Sequence, residues 1–190
     1  FKFRHSLVHD VAYESLLKKT RQQLHRRVAK YLDALNPDQT QTSPEVVARH
    51  HTQAGNHQTA YGCWLRAGQV LAKRGANLEA ISHLHRALDM LEPLPKTPER
   101  GEQELNVLMT LGPALLATRG WSSDDARTAF QRARELCERT GDRRKTFGAL
   151  WGIWLFYTAS ADIPSSHKVL DELFRIAQLE ADEDLLMEAH

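Results

Sequence analysis

Ten histidines and two cysteines are the residues of this 190-residue chain with the most obvious capacity for chemistry. His5 and His9 stand four apart and would share one face of a helix, whereas His83 and His85, two apart, would point to different sides. A zinc site needs three or four converging ligands, commonly with cysteine or carboxylate help. His5-x-x-x-His9-Asp10 lacks the glutamate that serves as base in the His-Glu-x-x-His hydrolase pattern. Cys63 and Cys137 are far apart and form no Cys-x-x-Cys, so a disulfide framework and a cysteine zinc site are both excluded on count. Cys63 adjoins Trp64 on an apolar face and Cys137 lies late in an amphipathic helix, so both read as buried or inert thiols of a reducing compartment. His51, at the end of a helix, is expected to pack or hydrogen-bond at the turn. Asp124 and Asp125 open a helix, where negative charge suits the helix dipole. No Ser-His-Asp or Cys-His arrangement stands out. No catalytic residue, metal ligand or cofactor is expected of these residues.

Charge narrows the alternatives. Lys and Arg number 25 and Asp and Glu 24, a formal net charge of +1, which rules out a globally basic nucleic-acid binder. The ends are unlike: residues 1–35 hold eight basic and three acidic side chains, and residues 162–190 two basic and eight acidic. Lys18, Lys19, Arg21, Arg26, Arg27 and Lys30 make a basic stripe with no aromatic at stacking spacing, which suits a solvated or docking face better than nucleic-acid contact. The longest apolar run, Phe147 to Ala159, is too short to span a bilayer, and no secretory start is present. A cytoplasmic protein without membrane contact is expected. The chain opens on Phe1 and ends on His190 within a helical pattern, so it reads as a piece of a longer protein.

The elements behind these residues are helices. Apolar residues recur at helical spacing and strand signals are almost absent. About ten helices are expected, among them about 20–35, 44–54, 57–74, 78–91, 98–119, 122–140, 143–159 and 164–179. Two more lie near Leu7–Leu16 and from about Asp182. Their joints are mostly one to five residues long, which forces antiparallel neighbours. Thr97-Pro98-Glu99 and Ser43-Pro44-Glu45 are agreeing start signals, and Gly55, Gly75 and Gly120 are stops. Pro113 should kink its helix.

One pattern recurs: Ala60-x-x-x-Trp64-x-x-Ala67, then Ala80-x-x-x-Leu84-x-x-Ala87, then Ala126-x-x-x-Phe130-x-x-Ala133. Leu170-x-x-x-Phe174-x-x-Ala177 is a weaker fourth copy. It is the second-helix signature of a tetratricopeptide-type repeat, in which small residues admit close helix approach around a bulky wedge. Arg66, Arg86 and Arg132 precede the last alanine and should face solvent. The steps of 20, 46 and 44 residues are irregular. The helix carrying Ala60 is therefore expected to serve as second helix of one hairpin and first of the next. The fold class is all-α: a degenerate α-solenoid of antiparallel hairpins in a right-handed superhelix. Phe147, Trp151, Trp154, Phe156 and Tyr157 nearly encircle one helix. They should pack between hairpins, with Trp151, Trp154 and Tyr157 available to grip a protein, peptide or small effector in the solenoid groove.

A family resemblance rests on other residues. Phe3-Arg4-His5-x-Leu7-Val8-x-Asp10-x-x-Tyr13-x-x-Leu16-Leu17, followed by Arg21-x-x-Leu24-His25-x-x-Val28-Ala29-x-x-Leu32, resembles the end of the ATPase module in large bacterial signalling proteins. In these an AAA-like, STAND-type ATPase precedes tetratricopeptide-like helices and often follows a class III adenylate or guanylate cyclase domain. Others carry a helix-turn-helix regulator or a kinase domain. His50-His51-x-x-Ala54-Gly55 and Leu111-Gly112-Pro113-Ala114-Leu115 are similar to the helices that follow. The resemblance implies that residues 1–35 end a winged-helix-like module, 36–43 form a linker, and 44–190 begin a helical repeat region. It implies a non-catalytic, protein-binding region in contact with an upstream ATPase module. The parent would be a nucleotide cyclase-type protein or, alternatively, a transcriptional activator with a sensor arm. The Gly-x-x-x-x-Gly-Lys-Ser/Thr loop of that family is absent here, so ATP and magnesium belong to other domains of such a parent.

Overall fold

The computed structural model describes residues 11, 13–34, 44–140 and 142–180. Eight helices make up nearly all of this: α1 (Lys18–Ala34), α2 (Pro44–Ala54), α3 (His57–Lys73), α4 (Asn77–Leu91), α5 (Pro98–Arg119), α6 (Asp124–Thr140), α7 (Arg143–Ala159) and α8 (Ile163–Glu180). No strand occurs among the described residues. The linker 36–43, His5, His9 and the helix expected from Asp182 lie outside them.

Local chemistry sets the helix ends. The Arg100 N–H donates to the Thr97 hydroxyl at 3.3 Å beside Pro98, and the Lys145 N–H to Asp142 at 3.0 Å. At α6 the cap is Ser123, whose hydroxyl accepts from the Ala126 N–H at 3.4 Å. Asp124 and Asp125 instead pair with Arg127 and Arg119. Gly55 and Gly75 take φ of 75° and 77°, letting the next N–H reach back to His51 O and Leu71 O. α5 continues unbroken through Pro113.

Each helix packs on its chain neighbours; in addition α3 meets α5, and α5 meets α7. The odd-numbered helices α3, α5 and α7 thus form one layer, with α4, α6 and α8 as their hairpin partners. The architecture is an all-α solenoid. It accounts for the 20-residue step: the Ala60 copy lies in the first-helix layer, while the Ala80 and Ala126 copies lie on second helices. α3 packs back on α2 and forward on α4, the double role its spacing required.

The hairpin register is clearer in burial than in sequence. Ala80, Leu84, Ala87 and Leu91 of α4 recur 46 residues on as Ala126, Phe130, Ala133 and Cys137 of α6, all buried. Forty residues further, the places are taken by Ser166, Leu170, Leu173 and Ala177 of α8. The fourth copy is therefore one turn earlier than Leu170, Phe174 and Ala177 suggested. Leu173 is fully buried and Phe174 only half-buried. Ser166 occupies the alanine's place because it is nearly as small, and its hydroxyl is satisfied by Thr158 at 3.0 Å.

The layers meet through glycines. A Cβ on Gly112 would lie 2.5 Å from the Phe130 ring and one on Gly152 2.4 Å from it, so the ring sits in space that two helices leave by having no side chain there. Leu84 does the same at Gly68, where a Cβ would stand 2.7 Å away. By contrast, a Cβ on Gly62 meets nothing within 4 Å. Gly152→Ala should therefore destabilise the chain by about 1–3 kcal/mol, because overpacking outweighs the roughly 1 kcal/mol gain in helix propensity. Gly62→Ala should stabilise it by up to about 1 kcal/mol. Urea unfolding followed by circular dichroism measures both.

Candidate functional site

The stack leaves a trough over α5, walled by α4 and α6. Two cavities of about 530 Å³ and about 440 Å³ share Leu88, Glu104 and Arg132 and so run together. At one end Leu91 and Leu136 lie beneath Lys96, Arg100 and Arg139. At the other, Leu108, Leu111 and Leu115 lie beneath the Arg119–Asp125 pair. Arg132 crosses the middle: its Nε donates to Glu104 at 2.7 Å, a second nitrogen reaches the same carboxylate at 3.3 Å, and a third contacts Glu135 at 2.9 Å. Hydrogen bonds donated to Glu104 and then to Glu135 raise the pKa of the guanidinium above its ordinary range. Arg132 is thus half-buried and engaged, not simply facing solvent as its place in the repeat suggested. Arg66 and Arg86 are exposed, with Arg86 lying 4.8 Å over the Trp64 ring.

Of the repeat-packing residues only Phe174 is not buried. Ala60, Trp64, Ala67, Ala80, Leu84, Ala87, Ala126, Phe130, Ala133 and Ala177 are all buried. The Trp64 indole donates to Thr52 at 3.0 Å, and its ring centre lies 5.0 Å from that of His83.

The α7 aromatics divide. Phe147 is buried and Trp151, Trp154 and Tyr157 are half-buried. Trp151 and Trp154 have ring centres 5.0 Å apart, and Trp151 stacks on Phe147 at 6.4 Å. Tyr157 instead lines a second trough of about 420 Å³ between α6 and α8, in which neither tryptophan takes part. That trough is lined by Arg134, Glu138, Lys168 and Glu172 and is pinned by the Arg134–Glu172 pair at 3.0 Å. The three aromatics proposed for one groove therefore do not share it. They lie on more than one face of the helix, because positions 151, 154 and 157 advance by three where a helical turn takes 3.6 residues.

A third constellation joins α1 to α2. His25 Nδ1 is 2.9 Å from His50 Nδ1, and the Tyr13 hydroxyl is 2.8 Å from His25 Nε2. Buried His51 places Nε2 3.2 Å from Asp33 and Nδ1 3.2 Å from the Asn56 amide. The turn role expected of His51 is present, but the His25–His50 meeting was not legible, since 25 residues and a linker separate them. Among the described residues no group of three or more His, Cys, Asp or Glu side chains could hold a metal ion. Burial raises both thiol pKa values, Cys63 despite nearby Arg66 and Cys137 despite a hydrogen bond from Thr146.

No protein-family model matches the chain. The chain is 31% identical over 157 residues to a Rhizobium meliloti protein described only as uncharacterized. The match covers 82% of this chain and 15% of the relative, so the chain spans well under a fifth of a protein of roughly a thousand residues.

Two outcomes follow. A double-mutant cycle of Arg132→Ala and Glu104→Ala should give a coupling of about 1 kcal/mol, the upper range for a partly exposed pair with two-point geometry, and less in molar salt. At neutral pH, iodoacetamide should modify Cys137 far more slowly in the native chain than in the urea-unfolded one, as read by mass spectrometry.

Proposed function

We propose that this chain is a non-catalytic, tetratricopeptide-like regulatory and protein-interaction region of a multidomain, cytoplasmic, ATP-binding signalling protein of the adenylate or guanylate cyclase type. The observation that carries the reading is a helical stack with an open, leucine-floored trough, matched to a small share of a far longer relative. Solenoids of this kind offer extended surfaces and few reactive groups. The rim over these leucines carries Lys96, Arg100 and Arg139 against Glu92, a cationic excess that suits an acidic, amphipathic peptide. Half-buried Trp151 and Trp154 offer a second, aromatic surface for a protein or small effector.

The upstream ATPase module docks on α1 in this reading. Leu24, Val28 and Tyr31 are exposed there at helical spacing beside Arg27 and Lys30. Partner binding in the trough is relayed to that module through the α1–α2 joint, while ATP and magnesium act in the parent. No helix among the described residues is long and apolar enough to cross a membrane, in keeping with this setting.

The parent gene should encode a phosphate-binding loop upstream of Phe1 together with a cyclase domain. A DNA-binding domain in place of the cyclase would transfer the reading to a transcriptional activator, and no such loop would end it. In the full-length protein, Tyr31→Glu should change the partner-stimulated ATP turnover several-fold while leaving the helical circular dichroism intact. The isolated chain should show no turnover above the blank.

A further inference from the structure

We propose that the α1–α2 joint is a proton-operated latch: neutral His25 and His50 share a single hydrogen and hold α1 on the solenoid, and acidification below about pH 6, where imidazoles charge, releases it. The inference concerns the joint itself and stands whichever module precedes α1.

The geometry limits how many protons the joint can hold. At 2.9 Å only one hydrogen fits between His25 Nδ1 and His50 Nδ1. Two proton orders satisfy the chain. In one, the Tyr13 hydroxyl donates to His25 Nε2 and His25 Nδ1–H donates to His50. In the other, His50 Nδ1–H donates to His25, and His25 Nε2–H donates to the Tyr13 oxygen. Both orders need only neutral rings. Charging both rings sets two N–H groups against each other, and the joint must open.

The surroundings work against a second charge. Arg21 lies 5.3 Å over the Tyr13 ring, and Lys18 and Arg21 line a polar cavity with Gln22 and Thr52. Arg49 and His51 flank His50 in α2, and Arg26 donates to Ala54 O at 3.4 Å. On the far side of α2, Glu45 is engaged by His83 at 3.4 Å. The carboxylate of the joint, Asp33, is held by His51. His51 Nε2 lies 3.2 Å from Asp33 and its Nδ1 3.2 Å from the Asn56 amide. Burial first and then the His50 ring lower the pKa of His25; burial first, then Arg49 and His51, lower that of His50. Docked α1 thus binds fewer protons than free α1, so docking is complete above the ordinary imidazole range and lost as pH falls through it.

Ala29 is the one buried residue of α1 among those described, with Leu32 half-buried, so its apolar hold on α2 is small and hydrogen bonds weigh heavily in its docking.

Hydrogen exchange at about pH 7.5 and about pH 5.5, corrected for intrinsic rates, tests the latch. Protection of α1 should fall about tenfold on acidification, the equivalent of one pKa unit of linkage, while α5 to α7 keep theirs. His50→Gln and, separately, His25→Gln keep hydrogen-bonding capacity without titrating. Either should hold its α1 protection within about twofold across the same range. Unchanged α1 protection in the wild type would overturn the latch, as would an equal loss in both glutamine variants. Retained protection in α5 to α7 certifies that each variant is folded.

Discussion

The solenoid depends on a steric fit: a bulky side chain of one layer occupying the space that a glycine of the other leaves empty. Phe130 lies against both Gly112 and Gly152, and so ties two successive first helices to one second helix. Leu84 against Gly68 repeats the arrangement one hairpin earlier. Interiors packed this closely tolerate neither a void nor an added methyl. Backbone approach at these points is therefore fixed while the connections are not. The repeat can measure 46 residues in one step and 40 in the next, because both α5 and the joint before it are longer than α7 and the joint before that.

Away from that fit the character of the molecule changes along its length. The cluster of buried apolar residues runs from α2 to α8, whereas α1 fully buries one alanine and meets α2 through imidazoles, a carboxylate and an arginine. Apolar packing is indifferent to pH, and hydrogen bonds between imidazoles are not. A stiff array thus ends in a polar joint. In the proposed reading this is where a signal gathered on the stack would pass to a neighbouring module.

Much of this was legible beforehand, for local reasons. Thr97-Pro98 and the glycines at 55, 75 and 120 mark helix ends because caps and left-handed turns are satisfied within a few residues. The alanine and wedge pattern was readable where alanine occupies the small site. It failed at α8 because Ser166 does the same steric work, and a search for alanine passes over it. The aromatic helix was readable as buried, but not as divided between faces. The trough over α5, with Arg132 crossing it, was invisible, since Glu104 and Arg132 lie 28 residues apart.

The sequence alone determined that the chain is helical, where most helices start and stop, and that small residues flank large ones at regular places, because these follow from contacts within four or so residues. The tertiary structure alone decided which helices share a layer and which turn of α8 faces inward. It also brought His25 to His50. Those pairings depend on how distant surfaces fit once stacked, and spacing along a chain does not encode fit.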